Sequence, residues 1–291
     1  SLQVMLNLPP SVAVFGPGLM GGSLLMALRQ RSPQTQLGVW ARRAEAVEEV
    51  RSRGLLDFGG TDAAEVAADC DLAVLCLPVE RLAEVAAAIK DALPPRAVIT
   101  DVGSVKKFVV EEMEKTFVRH GNFVGSHPMC GSEAAGLTAA NADLYQGALC
   151  VLTPTPRSKP EALRSVAALW CSVGARILEM EPAEHDRAAA AVSHVPHLIA
   201  ALLVELAARG NTEARQLCAG GFRDTTRIAA GSADLWTGIL ASNREEVIAA
   251  LRTFAGSVEE VIAIMEKNDT ASLQTLLVRA AANRAEMLSI P

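Results

Sequence analysis

The sequence predicts an α/β fold, an N-terminal doubly wound and mostly parallel sheet over residues 1–181, followed by an all-α substrate and dimerisation domain over 182–291. Three observations carry this. Short apolar runs alternate with helical stretches from Val12 to Glu181, and several of those runs are apolar throughout, as strands covered on both faces must be. After Glu181 the strand-like runs stop. Aromatic residues are only 4% of a chain that is 50% apolar, so the core rests on Ala, Leu and Val, which suits helices and parallel strands better than a β-sandwich.

Taken in order, the strand-like runs are "SVAVFG" from Ser11, "TQLGVWA" from Thr35, "DLAVLCLP" from Asp71, "AVITDVG" from Ala97, "NFVGSHP" from Asn122, "ALCVLTP" from Ala148 and "ARILEM" from Ala175. Amphipathic stretches such as Arg81–Ala92 and Lys106–Arg119 lie between them, giving βα units. From His185 onward the pattern is helical, with breaks near Gly210, Gly220–Gly221, Gly231 and Asn268–Asp269. The stretch Ala188–Leu206 is apolar enough to suggest a membrane span. It carries Ser193, His194, Pro196, His197 and Glu205, so it reads as a buried helix and no membrane partner is expected. So apolar a helical half is expected to bury surface against a second copy, as a homodimer.

The formal net charge is −6 and no long basic run occurs, which argues against a nucleic-acid partner, since such a partner demands many phosphate-neutralising cations. The six cysteines show no C-x-x-C spacing, and the first residues place no basic region before an apolar one, so no secretory signal is read there. Reduced thiols and a cytoplasmic enzyme acting on a small molecule are expected.

The first run leads into "GPGLMGGSL". Gly16, Gly18 and Gly21 form G-x-G-x-x-G between a strand and a helix that Leu19 and Met20 open. In that context the first glycine permits a tight turn, the second lets backbone approach a pyrophosphate, and the third allows close helix packing. This predicts a Rossmann-type site for a nicotinamide dinucleotide. An acidic residue for the adenosine ribose is expected about 20 positions further on. The count reaches Ala41, followed by Arg42 and Arg43. A guanidinium can bind a ribose 2′-phosphate, so NADP is the expected preference, with NAD possible.

Two more loops should open on the same sheet edge: "TDVGSVKK", with Ser104, and "GSHPMCGSE", with His127 and Glu133. Ser104 also reads as an N-cap for the helix that follows, and Asp101 as a turn residue. In "SHVPH", His194 and His197 share a helix face, without the third ligand or H-E-x-x-H pattern of a zinc site, so no metal is expected. "GGFRDTTRIAAGS" offers Arg223 and Arg227 as carboxylate clamps.

Together "GLMGGS", "DVGSVK", "SHPMCGSE", "SHVPH" and "GGFRDTTRIA" resemble, in order and spacing, the prephenate and arogenate dehydrogenases of tyrosine biosynthesis. The resemblance runs from about Ser11 to Arg284, and Cys130 stands where the family commonly has Ala. It implies oxidative decarboxylation of a cyclohexadiene that bears a ring carboxylate and a hydroxyl. A hydride passes to the nicotinamide, the carboxylate leaves as carbon dioxide, and the ring becomes aromatic. It further implies His127 as the group that accepts the hydroxyl proton, with Ser104 orienting it. His197 would lie near the substrate side chain, Arg227 would hold a substrate carboxylate, and Glu133 would be a gating carboxylate. A β-hydroxyacid dehydrogenase is the competing enzyme; it would want a helical lysine that neither Lys159 nor Lys267 is placed to supply. A non-catalytic dinucleotide-sensing dimer has no use for Ser104, His127, His197 and Arg227 together.

Overall fold

The computed structural model describes residues 8–118, 122–130, 134–209 and 216–289. The chain divides into two compact units, Ser1–Arg244 and Glu245–Pro291.

The first unit opens with β1 (Ser11–Phe15), α1 (Leu19–Arg31), β2 (Gln36–Trp40), α2 (Ala44–Ser52), β3 (Phe58–Gly60), α3 (Ala63–Ala68), β4 (Leu72–Leu75), α4 (Val79–Ile89), β5 (Val98–Asp101) and α5 (Lys107–Thr116). The five strands form one sheet, ordered β3-β2-β1-β4-β5, and every pairing is parallel. Alternation along each strand builds two cores. Val12, Val14, Leu37, Val39, Leu72 and Val74 pack with α1 on one face, while Ala13, Phe15, Ala73, Leu75 and Ile99 pack with α3, α4 and α5 on the other. Burial on both faces is why these runs are apolar throughout. Within β2, Gly38 is required by packing: a Cβ there would stand 2.4 Å from the Phe58 ring.

A second sheet follows, from β6 (Gly125–Pro128), β7 (Leu149–Thr153), α6 (Pro160–Ser172) and β8 (Arg176–Glu179). Strand β6 runs antiparallel to β7, and β7 parallel to β8. The mostly parallel strands expected thus divide between a five-stranded and a three-stranded sheet that meet at β5 and β6. They share one parallel bridge, Ile99 with Phe123. Beyond it the ladder is replaced by side chains: the Ser126 amide donates to Asp101 Oδ1 at 3.2 Å, and its carbonyl accepts from Lys106 Nζ at 2.8 Å.

The helices of the second half begin with α7 (Pro182–Ala189), continue through a π-helical turn (Ala190–His194) into α8 (Val195–Ala208), and resume with α9 (Gly220–Thr226), a 3₁₀ turn (Arg227–Ala230) and α10 (Ala233–Ser242). Pro196 has no amide proton and its ring crowds the preceding carbonyls, and the wider π turn accommodates it. By length and composition Pro182–Ala208 is long and apolar enough to cross a membrane, yet it buries Asp186, His194 and His197 in the site described below. The helix expected to be buried is only partly covered within the chain. Only a third of its apolar window is covered, and Val192, Leu202 and Leu206 are exposed. The second unit is helical, formed by α11 (Arg244–Glu266, whose first residue belongs to the first unit) and α12 (Thr270–Ser289). Asn268, at φ +51°, marks the expected break between them.

Candidate active site

The three fingerprint glycines meet three different physical demands. Gly16 adopts φ +101°, and a Cβ there would lie 2.5 Å from the Cys76 carbonyl oxygen. Gly21 would bring a Cβ to 2.3 Å from the Gly16 carbonyl oxygen and 2.7 Å from Val14, so it sets the close approach of α1 to β1. Gly18, by contrast, faces open space and is the N-cap of α1, with no side-chain cap. An open Cα beside uncapped helix amides is what a pyrophosphate needs. Leu19 and Met20 form the first turn, and the Met20 carbonyl is held by the Tyr145 hydroxyl at 2.6 Å. Ala41 is buried at the end of β2, its amide donating to the Gly60 carbonyl, while Arg42 and Arg43 are exposed. The residues present fit a dinucleotide.

Strands β1, β4 and β5 are parallel, and β6 bridges β5 in the same sense. Their carboxyl ends therefore share one edge, which brings His127 to the side that the glycine turn occupies. His127 is 7% exposed. Its Nδ1 lies 2.8 Å from His185 Nε2, and His185 Nδ1 lies 2.8 Å from Asp186 Oδ1. Among the described residues its Nε2 meets no protein partner. Burial, then the neighbouring His185, Lys106 and His194, holds the imidazole well below the ordinary histidine range, and so neutral at pH 7.

Behind β6 lies a fully buried ion pair, Lys106 Nζ with Asp101 Oδ2. Asp101 also accepts the Gly103 amide at 2.8 Å, so its expected turn role stands but is one of three. The Ser126 hydroxyl donates to the Asp101 carbonyl at 2.5 Å and accepts from Trp170 Nε1 at 3.0 Å. With its amide and carbonyl also engaged, Ser126 fixes the backbone from which His127 projects.

Ser104 is half-buried in the loop between β5 and α5. The expectation that it caps α5 is corrected: the helix begins at Lys107, and the amides of Lys106 and Lys107 donate to the Asp186 carboxylate at 2.7 and 2.9 Å. No hydrogen bond joins Ser104 to His127, whose Nδ1 is engaged by His185. Glu133 lies outside the described residues. Cys130, which precedes it closely, has its thiol pushed up to about 12 by burial and stays protonated.

His197, on α8, stacks on Trp236 of α10, with ring centroids 3.6 Å apart and 14° between planes. Its Nδ1 is buried without a partner among the described residues, and burial lowers its pKa. His194 is fully buried, meets the same tryptophan edge-on, and faces Asn243 Nδ2 at 3.1 Å. Arg227 opens the 3₁₀ turn that packs against α8, and it is exposed, as is Arg223. Sequence reasoning missed His185, Asp186, Lys106 and Trp236. The one available signal was an adjacent His-Asp pair just after the helix-starting Pro182.

A dinucleotide turn and a neutral buried imidazole on one sheet edge define a nicotinamide-dependent oxidoreductase. Residues 25–179 match the family model described as prephenate dehydrogenase, nucleotide-binding domain, and residues 181–279 match prephenate dehydrogenase, dimerization domain. The chain belongs to the prephenate dehydrogenase family. It is 30% identical to the cyclohexadienyl dehydrogenase of Zymomonas mobilis, covering 89% of each chain. The crystal structure of Aquifex aeolicus prephenate dehydrogenase with hydroxyphenyl propionate and NAD+ superposes with a TM-score of 0.90 at 30% identity, over 95% of this chain and 98% of that one. Synechocystis arogenate dehydrogenase gives 0.84 at 29% identity, over 95% and 99%.

Proposed function

We infer that this protein oxidatively decarboxylates prephenate or arogenate, giving 4-hydroxyphenylpyruvate or tyrosine, carbon dioxide and a reduced nicotinamide. The observation that carries the reading is the state of His127: buried, neutral, Nδ1 engaged and Nε2 without a protein partner among the described residues. A neutral imidazole at neutral pH is a competent proton acceptor. The bound dinucleotide supplies the hydride acceptor. As the hydride leaves the hydroxyl-bearing carbon, His127 Nε2 accepts the hydroxyl proton. Loss of the ring carboxylate then leaves a phenolate oxygen, to which the imidazolium can return that proton. Burial of the site excludes water and strengthens the hydrogen bond to the substrate hydroxyl.

In this reading Ser104 contacts the substrate hydroxyl, His197 meets the side chain through its unpartnered Nδ1, Arg227 holds a carboxylate, and Glu133 gates the entrance. The metal-free chemistry needs only the dinucleotide. We place NADP ahead of NAD, because Ala41 offers no carboxylate to the ribose and exposed Arg42 and Arg43 follow it. We place the functional division between 1–181 and 182–291, because the strands stop at β8. A homodimer is favoured by the exposed Leu202 and Leu206 on α8, and by Phe254, Val258, Ile262 and Met265 on α11. Six free cysteines suit the cytoplasm.

The test is reduced-nicotinamide absorbance with prephenate and with arogenate, each with NAD+ and NADP+. Turnover with at least one substrate is expected, and none with either overturns the reading.

A further inference from the structure

We propose that His185 and Asp186 are positioning residues for this reaction, fixing His127 in the tautomer that carries its proton on Nδ1 and leaves Nε2 bare. The proposal rests on His127 being the proton acceptor.

Counting donors leads to it. A carboxylate only accepts. Asp186 Oδ1 accepts the Lys106 amide at 2.7 Å and faces His185 Nδ1 at 2.8 Å, and Oδ2 accepts the Lys107 amide at 2.9 Å. The hydrogen between Asp186 and His185 must therefore sit on His185 Nδ1. A neutral imidazole has one N–H and one lone pair, so His185 Nε2 accepts. Its neighbour at 2.8 Å, His127 Nδ1, must then donate, and a neutral His127 is left with a bare Nε2. The opposite tautomer would set two lone pairs against each other inside a buried pair of rings.

The chain is rigid at its far end. Asp186 is 2% exposed, its carbonyl accepts from Asn243 Nδ2 at 2.8 Å, and its carboxylate sits at the N-terminus of α5. Amides that cannot move fix the carboxylate, which fixes His185, which fixes His127. His185 meets the His127 ring directly, and Asp186 reaches it through His185. An imidazole held by a carboxylate in the correct tautomer recurs in hydrolytic triads, where breaking it by an amide substitution is very damaging. Here a second imidazole stands between the two.

The experiment pairs His185→Phe with His185→Gln, since Gln keeps an acceptor for His127 Nδ1 whereas Phe keeps only the bulk. For His185→Phe, kcat should fall by about tenfold to a thousandfold, with KM for the dinucleotide unchanged. His185→Gln should recover kcat to within roughly fivefold of the parent. Nitrogen NMR of histidine-labelled parent enzyme should show His127 protonated at Nδ1 and bare at Nε2. A proton on Nε2, full activity in His185→Phe, or equal losses in the two variants would each overturn the proposal. His127→Asn separates the two readings. Full activity there removes the proton-acceptor assignment itself, whereas its loss together with full activity in His185→Phe removes only the positioning role.

Discussion

His197 lies flat against Trp236, 3.6 Å between ring centroids, and Gly231 is what lets the two rings meet. A Cβ at Gly231 would stand 2.6 Å from Trp236 Nε1 and 3.3 Å from His197 Cε1. Gly231→Ala should therefore displace the tryptophan, since the backbone at φ −61° tolerates alanine. Overpacking of this kind costs about 1–3 kcal/mol. We expect a lower melting temperature and a raised KM for the cyclohexadiene, with KM for the dinucleotide unchanged. Unaltered substrate KM would show that the stacked pair does not shape the substrate site.

His127→Asn should fold and bind dinucleotide normally while kcat drops roughly 10²–10⁴-fold, the usual size of a lost general base. Steady-state kinetics beside a dinucleotide titration checks this, and retention of more than about a third of kcat contradicts it.

Arg227→Gln should raise substrate KM about ten- to a hundredfold, because a hydrogen bond to a charged group is worth about 1.5–3 kcal/mol. Arg223→Gln serves as the milder control. If both variants match the parent, neither guanidinium holds the substrate.

Cofactor choice can be read as a ratio. Two charge-assisted contacts from Arg42 and Arg43 at about 1.5 kcal/mol each favour NADP by roughly a hundredfold in kcat/KM. Ala41→Asp should shift the ratio toward NAD. Parity or an NAD preference in the parent enzyme excludes the clamp.

Acid should loosen the fold before it protonates the site. Burial lowers His194 from 6.5 to about 4 and lowers His127 and His197 as well. A histidine depressed in the folded state binds more protons when unfolded, so its contribution is fully present above pH 6.5. That contribution is lost as pH falls from 6.5 toward 4. For His194 alone this is on the order of 3 kcal/mol. Denaturant melts at pH 7 and pH 5 should show the loss, and His194→Gln should reduce it. Equal stability at both values would mean that these rings are not neutral in the folded protein.

Seven of the eight strands were legible as short runs, and β1, β4 and β7 most plainly, because a strand buried on both faces leaves an unbroken apolar run. Strand β3 was not, since Phe58, Gly59 and Gly60 bear one large side chain among them and offer no apolar run. The glycine fingerprint was legible for a local reason: Gly16 and Gly21 answer to atoms within a few residues of them or just past the adjacent strand, and Gly18 to a ligand rather than to the protein. His127 was legible as a histidine in a loop too reactive for a turn. Its partners were not, because His185 is 58 residues away along the chain and meets it only once α7 has docked on α5. The same distance explains the misread cap. Ser104 has the right chemistry for an N-cap, but a carboxylate from another element reached the α5 amides instead. The break between the two sheets was invisible for a similar reason, since no periodicity reports that a lysine and an aspartate will stand in for a ladder.

Asp186 belongs to the first helix of the second half, and it closes the amides of a helix from the first. Removing everything after β8 would leave those amides open and His127 Nδ1 without its acceptor, while the glycine turn, whose partners Val14, Cys76 and Tyr145 all precede β8, would be untouched. Dinucleotide affinity and turnover are thus separable by truncation: the α/β half can hold a cofactor but has no oriented base. Chimeras that graft one relative's helices onto another's sheet should work only when the His-Asp pair travels with the helices and the receiving lysine loop travels with the sheet. In this protein the unit that must be kept whole is this seam, which neither half contains by itself.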